Sequence, residues 1–252
     1  TRAMNITVVT VAYNAASTVG ETVRSVASQT FQDFEHILID GASQDKTVEV
    51  ARQASGRISR LVSEPDHGVY DAMNKGLGLA SGDVIGFLNA DDVYADREVL
   101  SRVMTVMERE GLDALLGDVE FYRPENPART LRRYRSARFR PDRIAWGWMP
   151  AHPALFLHRR VYDRFGRFRT DYRIAGDFEF CARIFRDNTI VYRSLPETLV
   201  RMRIGGISTG GWRNTVLLNR EVLRACRENG IDTNMLKICS KYPAKLLEFL
   251  AK

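Results

Sequence analysis

No apolar run in this chain approaches the roughly 18 residues needed to cross a bilayer, and its first residues lack the basic-then-apolar order of a secretory signal. The expectation is a cytoplasmic protein, with Met4 as the native first residue and Thr1–Ala3 foreign to it. Cysteine is scarce: Cys181, Cys226 and Cys239 are odd in number and far apart, which argues for buried free thiols against a disulfide framework or a zinc knuckle. Several short catalytic motifs are missing too. There is no Gly-x-x-x-x-Gly-Lys-Ser/Thr loop, no Gly-x-Ser-x-Gly elbow, no His-Glu-x-x-His pair and no cysteine–histidine arrangement, and His36, His67, His152 and His158 do not fall at metal-ligand spacing. Gly76-x-Gly78-x-x-x-Gly82 is a near miss, placed inside or just after an expected helix instead of between a strand and a helix. Hydrolase, zinc and glycine-loop readings lose their support.

What remains is a chain of ordinary globular composition, 44% hydrophobic and 27% charged, which excludes general disorder. Its 252 residues are enough for an ample core. The net charge of +6 is uneven. Arg123, Arg129, Arg132, Arg133, Arg135, Arg138, Arg140 and Arg143 face only Glu125 and Asp142 in their segment, and the stretch from Arg213 to Lys252 is basic as well. Such runs are commonly solvated faces. They also suit an anionic membrane surface or a phosphate-bearing acceptor. Nucleic acid is not expected as a partner, because few aromatics are interleaved for base stacking and no nucleic-acid-binding motif accompanies the arginines.

Along the chain, apolar β-branched strands at 5–11, 35–40, 60–63 and 84–88 alternate with amphipathic helices over 17–28, from Asp45, from Val69 and from Asp96 onward. Strand–helix alternation predicts an α/β fold with a mostly parallel central sheet flanked by helices. Each of these strands is followed by polar or acidic residues: Tyr13-Asn14, Asp40, Glu64 and Asp66, then Asn89-Ala90-Asp91-Asp92. In an open parallel sheet ligands bind at the carboxyl ends of strands, so the pattern predicts an acid-lined crevice suited to a diphosphate held through a metal ion. Further strands are expected at 114–121, 154–158, 189–193 and 198–203, with a helix over 176–186, so the second half mixes its strand directions. Residues 124–150 read as irregular and solvent-facing, and a basic helical tail is expected from Trp212, broken near Gly230 and Pro243.

The ordered stretches Val9-Thr-Val-Ala-Tyr-Asn14, Leu38-Ile-Asp-Gly-Ala-Ser-Gln-Asp45, Ser63-Glu-Pro-Asp-His-Gly-Val-Tyr-Asp-Ala-Met-Asn-Lys-Gly76 and Gly86-Phe-Leu-Asn-Ala-Asp-Asp92 resemble the successive signatures of family 2 glycosyltransferases of the GT-A (Rossmann-like) fold. The resemblance continues through Ala175-Gly-Asp-Phe-Glu179 and Gly205-Gly-Ile-Ser208. It implies a single glycosyltransferase domain over 4–211, with a nucleotide-sugar half at 4–115, an acceptor half at 116–211, and the tail at 212–252 beyond it.

The resemblance also implies roles. Thr10, Ala12, Tyr13, Asn14 and Asp40 would surround base and ribose, with Asp66, Asn74, Asn89, Ala90 and Asp91 near the donor nucleotide. Asp40 would otherwise be a turn-former bonding local amides. The metal motif of this fold is Asp-x-Asp, and here its first acid is Asn89. Asp91 is therefore the expected ligand for Mn2+ or Mg2+, with Asp92 in reserve and the donor phosphates supplying much of the coordination. Asp177 matches the family's general base, its plainer alternative being a helix cap. Glu179, His152 and Trp148 are candidates for the acceptor or diphosphate side, with Trp146 a further stacking candidate. The implied reaction is inverting transfer from a nucleotide-diphosphate sugar, UDP before GDP, to a hydroxyl of a saccharide or lipid-linked saccharide. The implied place is the cytoplasm, with peripheral contact on the inner face of the plasma membrane. A sugar nucleotidyltransferase is disfavoured because the Gly- and Lys/Arg-rich loop expected after its first strand is missing here, and a non-catalytic nucleotide-sugar or polyanion binder stays open because of Asn89 and the basic segments.

Overall fold

The computed structural model describes residues 4–204 and 211–242. The first half follows the predicted alternation: β1 (Ile6–Ala12), α1 (Val19–Ala27), β2 (Phe34–Asp40), α2 (Thr47–Ala54), β3 (Arg60–Ser63), α3 (Val69–Leu79), β4 (Val84–Phe87), β5 (Asp92–Tyr94) and α4 (Val99–Glu110). The second half comprises β6 (Ala114–Arg123), β7 (Asn126–Tyr134), β8 (Leu155–His158), α5 (Arg159–Phe165), α6 (Gly176–Phe185), β9 (Tyr192–Arg203), α7 (Gly211–Glu228) and α8 (Met235–Cys239), with three short 3₁₀ turns between β7 and β8.

The nine strands form one sheet in the order β3-β2-β1-β4-β8-β6-β9-β5, with β7 on β6. β3, β2, β1 and β4 pair in parallel, β8 is antiparallel to β4 and to β6, and β9 runs parallel to β6. The sheet is therefore mostly parallel, with β5, β7 and β8 reversed. Alternation along β1 sends Val9 and Val11 into a core shared with α3, α6 and α7, while Ile6 and Val8 face α4. A smaller cluster joins Ala12 and Leu38 to Val19, Val23 and Ala51 of the first two helices.

The structure departs from expectation in several places. Residues 126–134 are a strand, not irregular chain: β7 is an exposed edge on which charge and Pro127 are tolerated, and Arg133 anchors it by an ion pair to Asp118 at 2.9 Å. The two strands expected at 189–203 are one. Register jumps from Gly117↔Leu195 to Asp118↔Thr198, so Pro196 falls in the irregularity, where no ladder donor is required. The turn expected at 92 opens the short β5, and α5 follows β8 directly.

The segment expected as a helical tail is α7 and α8, with the break near Gly230. Val222, Ala225 and Cys226 of α7 and Ile238 of α8 belong to the same core as Phe178 and Phe185 of α6, so α7 is packed structure. Their spacing puts one apolar face of α7 against α6. Residues 243–252 and the Gly205–Ser208 motif lie outside the described residues.

Candidate active site

At the carboxyl end of β1, Tyr13 projects into solvent, 63% exposed, and Asn14 takes a left-handed backbone at φ 48°. The following loop is laced to the loop after β2. Asn14 N–H donates to Ser43 Oγ at 2.8 Å, Asn14 Oδ1 accepts from Gln44 N–H at 2.9 Å, Ala15 N–H donates to Thr47 Oγ1 at 2.7 Å, and Ala16 N–H donates to Asp45 at 3.1 Å. Asp40 sits beneath this lacing, fully buried. Its carboxylate accepts from Ser43 N–H at 3.0 Å, from the Ser43 hydroxyl at 2.5 Å and from the Ser63 hydroxyl at 2.7 Å. Asp40 thus bonds local turn groups, as its sequence also allowed, and holds the loop that follows β2. Asp66 lies against Gly41: a Cβ there would collide with the Asp66 carboxylate and meet the Tyr13 ring at 3.4 Å. Tyr13, Gly41 and Asp66 therefore share one small notch.

Two donor-side candidates are engaged by the protein itself. Thr10 is wholly inside the sheet, its hydroxyl 3.0 Å from His36 Nε2, because an inward strand position faces packing instead of the crevice. Asn74 holds the Phe168 backbone with both ends of its amide, donating at 2.8 Å and accepting at 3.0 Å, which ties α3 to the loop before α6. Ala12 and Ala90 are buried and shape the floor.

The turn after β4 is where polar atoms lack partners. Asn89 Oδ1 and both carboxylate oxygens of Asp92 are buried and make no hydrogen bond of normal geometry, and Asp92 is 1% exposed. Burial pushes the Asp91 carboxyl above the ordinary carboxylate range, with Arg203 opposing. Burial, and then the neighbouring Asp91 charge, push Asp92 well above it. An unpaired buried acid is costly unless a cation or proton completes it. Among the described residues no three His, Cys, Asp or Glu side chains converge as a ready metal cage. One acid, Asp92, and one amide oxygen, that of Asn89, without partners beside the half-buried Asp91 fit a hard cation that takes its remaining ligands from phosphate and water.

Asp177 lies in the first turn of α6. The N-cap position is Ala175, so Asp177 is not the side-chain cap of that helix. Instead its Oδ1 accepts from Phe178 N–H at 2.9 Å and lies 3.1 Å from the Tyr70 hydroxyl, which also reaches the Ile174 carbonyl at 2.6 Å. A Cβ on Gly176 would strike the Tyr70 ring at 2.7 Å, so glycine permits this approach. His152 stacks on Phe87 at the end of β4, 5.6 Å between ring centroids. Burial depresses its basicity, the Asp177 charge opposes this, and its Nε2 has no partner. His152 thus belongs to the same neighbourhood as Asp177, at the sheet end where the acidic turn lies.

Glu179 does not. It is 2% exposed and bound to Arg183 at 2.7 Å, with Asn229 at 3.3 Å, because one helical step turns it into the core. Trp148 lines a shallow pocket with Arg132, Tyr134, Arg135, Arg138 and Phe139. Trp146 is half-exposed beneath Lys237. Tyr70 and Arg203 were not read as site residues. Tyr70 stands inside the Val69-Tyr-Asp stretch of the third motif, whereas Arg203 carries no sequence signal.

A family model described as "Glycosyl transferase family 2" matches residues 7–188. A PGL/p-HBAD biosynthesis glycosyltransferase from Mycobacterium bovis is 31% identical over 221 residues, covering 84% of this chain and 79% of its own length. An uncharacterized glycosyltransferase from Mycobacterium tuberculosis is 30% identical over 193 residues, covering 73% and 70%. Among solved structures, Staphylococcus aureus TarS in complex with UDP-GlcNAc superposes with a TM-score of 0.69 at 17% identity, over 88% of this chain and 66% of that one. Mannosyltransferase PcManGT from Pyrobaculum calidifontis, in complex with GDP-Man and Mn2+, gives 0.65 at 19% identity, over 89% and 65%. This chain therefore spans about two thirds of each solved neighbour.

Proposed function

The chain belongs to glycosyl transferase family 2 and has the GT-A fold, and from that premise we propose that it moves a sugar from a nucleotide-diphosphate donor to a hydroxyl of a saccharide or lipid-linked saccharide, with inversion at the anomeric carbon. The observation that carries this reading is the set of buried polar atoms without partners at one sheet end: Asn89 Oδ1, both Asp92 oxygens and His152 Nε2. Such a set is costly until a cation, a proton or water completes it.

In this reading the notch of Tyr13, Gly41 and Asp66 takes the nucleoside, and the Asn89–Asp92 turn faces the diphosphate. Asp91, with Asn89 and Asp92 behind it, would hold Mn2+ or Mg2+, and that cation would supply neutralisation of the departing diphosphate. Asp177 takes the acceptor proton as the acceptor oxygen bonds to the anomeric carbon. The bond from that carbon to the diphosphate breaks, and its electron pair leaves with the nucleotide. His152, kept neutral by burial, offers Nε2 to a sugar or acceptor hydroxyl. UDP is favoured over GDP as the donor base, the TarS complex holding UDP-GlcNAc and the PcManGT complex GDP-Man. Exposed Trp146, Trp212 and Leu236 beside Lys237 and Arg213 support contact with an anionic membrane face. Among the described residues no helix is long and apolar enough to cross one.

The test is release of free nucleoside diphosphate from UDP- and GDP-sugars with added Mn2+. Release from neither, with no pyrophosphate exchange, would leave only a binder. Thermal melting separates the parts. UDP with Mn2+ at about a hundred times the dissociation constant should stabilise the protein by about 2.7 kcal/mol. Asp91→Asn should remove the Mn2+-dependent portion and leave the metal-free melting temperature almost unchanged. Gly41→Ala should weaken UDP binding about tenfold or more, because overpacking against Asp66 and Tyr13 costs about 1–3 kcal/mol. Unaltered UDP affinity in a folded Gly41→Ala protein would move the nucleoside out of this notch.

A further inference from the structure

The segment that delivers Asp177 is fastened from outside the matched motifs. Arg173 N–H donates to Glu221 Oε1 at 2.8 Å, and Ile174 and Ala175 N–H both donate to Glu221 Oε2 at 2.8 Å. Glu221 comes from α7, is buried, and accepts three consecutive backbone donors immediately before α6. Between them the Ile174 carbonyl receives the Tyr70 hydroxyl at 2.6 Å. A hydroxyl carries a single proton, which here is shared between Ile174 and Asp177. The loop's flank is tied to the same helix: Tyr172 donates to Glu228 at 2.7 Å, Arg169 pairs with Glu228 at 2.6 Å, and Arg224 pairs with Asp171.

We propose that Glu221 and Tyr70 are positioning residues for Asp177, a clamp in which α7 sets the backbone ahead of the base and Tyr70 sets its carboxylate. The inference rests on Asp177 being the general base. A carboxylate suits the task better than an amide. Three N–H groups converge on its two oxygens, whereas glutamine offers one oxygen and turns its own donors toward at least one of them. The substrate touches neither residue in this scheme, so their effect is felt only through the aim of Asp177.

Glu221→Gln should lower kcat about 10- to 100-fold, the scale of loss that a displacement of about 1 Å produces. The donor KM and the UDP-induced thermal shift should stay within about twofold, since the nucleotide notch is elsewhere. Tyr70→Phe should give a smaller loss of the same kind, about 3- to 10-fold, from one missing hydrogen bond. The decisive comparison is a cycle with Asp177→Asn. In that background Glu221→Gln and Tyr70→Phe should change the residual turnover less than about twofold, because a misaimed amide has nothing further to lose. Equal losses in both backgrounds, a loss confined to KM, or unchanged kcat in the folded single variants would each overturn the proposal. If Glu221→Gln fails to fold, Tyr70→Phe, which removes one oxygen from a buried ring, carries the same comparison. Full turnover in Asp177→Asn alone would remove the base assignment itself, whereas silent Glu221 and Tyr70 variants beside an inactive Asp177→Asn would remove only the clamp.

Discussion

Asp177→Asn is expected to reduce turnover by about 10² to 10⁴, equivalent to about 3 to 5 kcal/mol of transition-state stabilisation, while the melting temperature moves by no more than a few degrees. The structure makes this separation sharp. Asp177 is not the N-cap of its helix, so little cap stability is at risk. Its bonds to Phe178 N–H and Tyr70 are accepted by Oδ1, an atom that asparagine retains. What asparagine lacks is the capacity to take a proton from an incoming hydroxyl. The measurement is steady-state transfer with saturating donor, alongside thermal melting with and without UDP. A variant with wild-type kcat would move the base elsewhere.

The second large effect concerns stability and lies inside the sheet. His36 is buried beside Thr10, and burial alone lowers its pKa from 6.5 to about 4. The unfolded chain therefore binds a proton between these values that the folded chain refuses. Stability is fully present above about pH 6.5 and is lost as pH falls toward 4, by about 3 kcal/mol in total from this one group. His36→Gln removes the titration. Its unfolding free energy from urea titration should vary less between pH 7 and pH 4.5 than that of the wild type, by an amount approaching that figure. Parallel pH profiles for the two proteins would show that His36 is solvated in the folded state.

The sequence showed much of the sheet and which strand ends carry acids, for identifiable reasons. β1, β2 and β4 are largely apolar and bounded by turn-forming residues, β3 is a short strand ahead of Pro65, and the acids that follow them fall where parallel strands end. Side-chain direction was harder to read. Thr10 and Glu179 occupy plausible motif positions, yet one faces His36 and the other Arg183. A single residue step along a strand or helix decides between crevice and core, and no composition rule reports it. β7 was missed because an edge strand covered with arginine looks like solvated loop until β6 is placed beside it. Glu221 was out of reach for another reason. Its partners are backbone amides 46 to 48 positions earlier, and amides leave no mark in a sequence.

The lacing between the loops after β1 and β2 has a thermodynamic corollary. Asn14 and Ala42 sit at positive φ, 48° and 57°, conformations that a free loop of these residues seldom visits. The Asn14, Asp45 and Thr47 bonds hold the entrance in that form. If the nucleoside binds there as proposed, it meets a preorganised mouth, and the entropic toll of shaping that mouth was met when the chain folded.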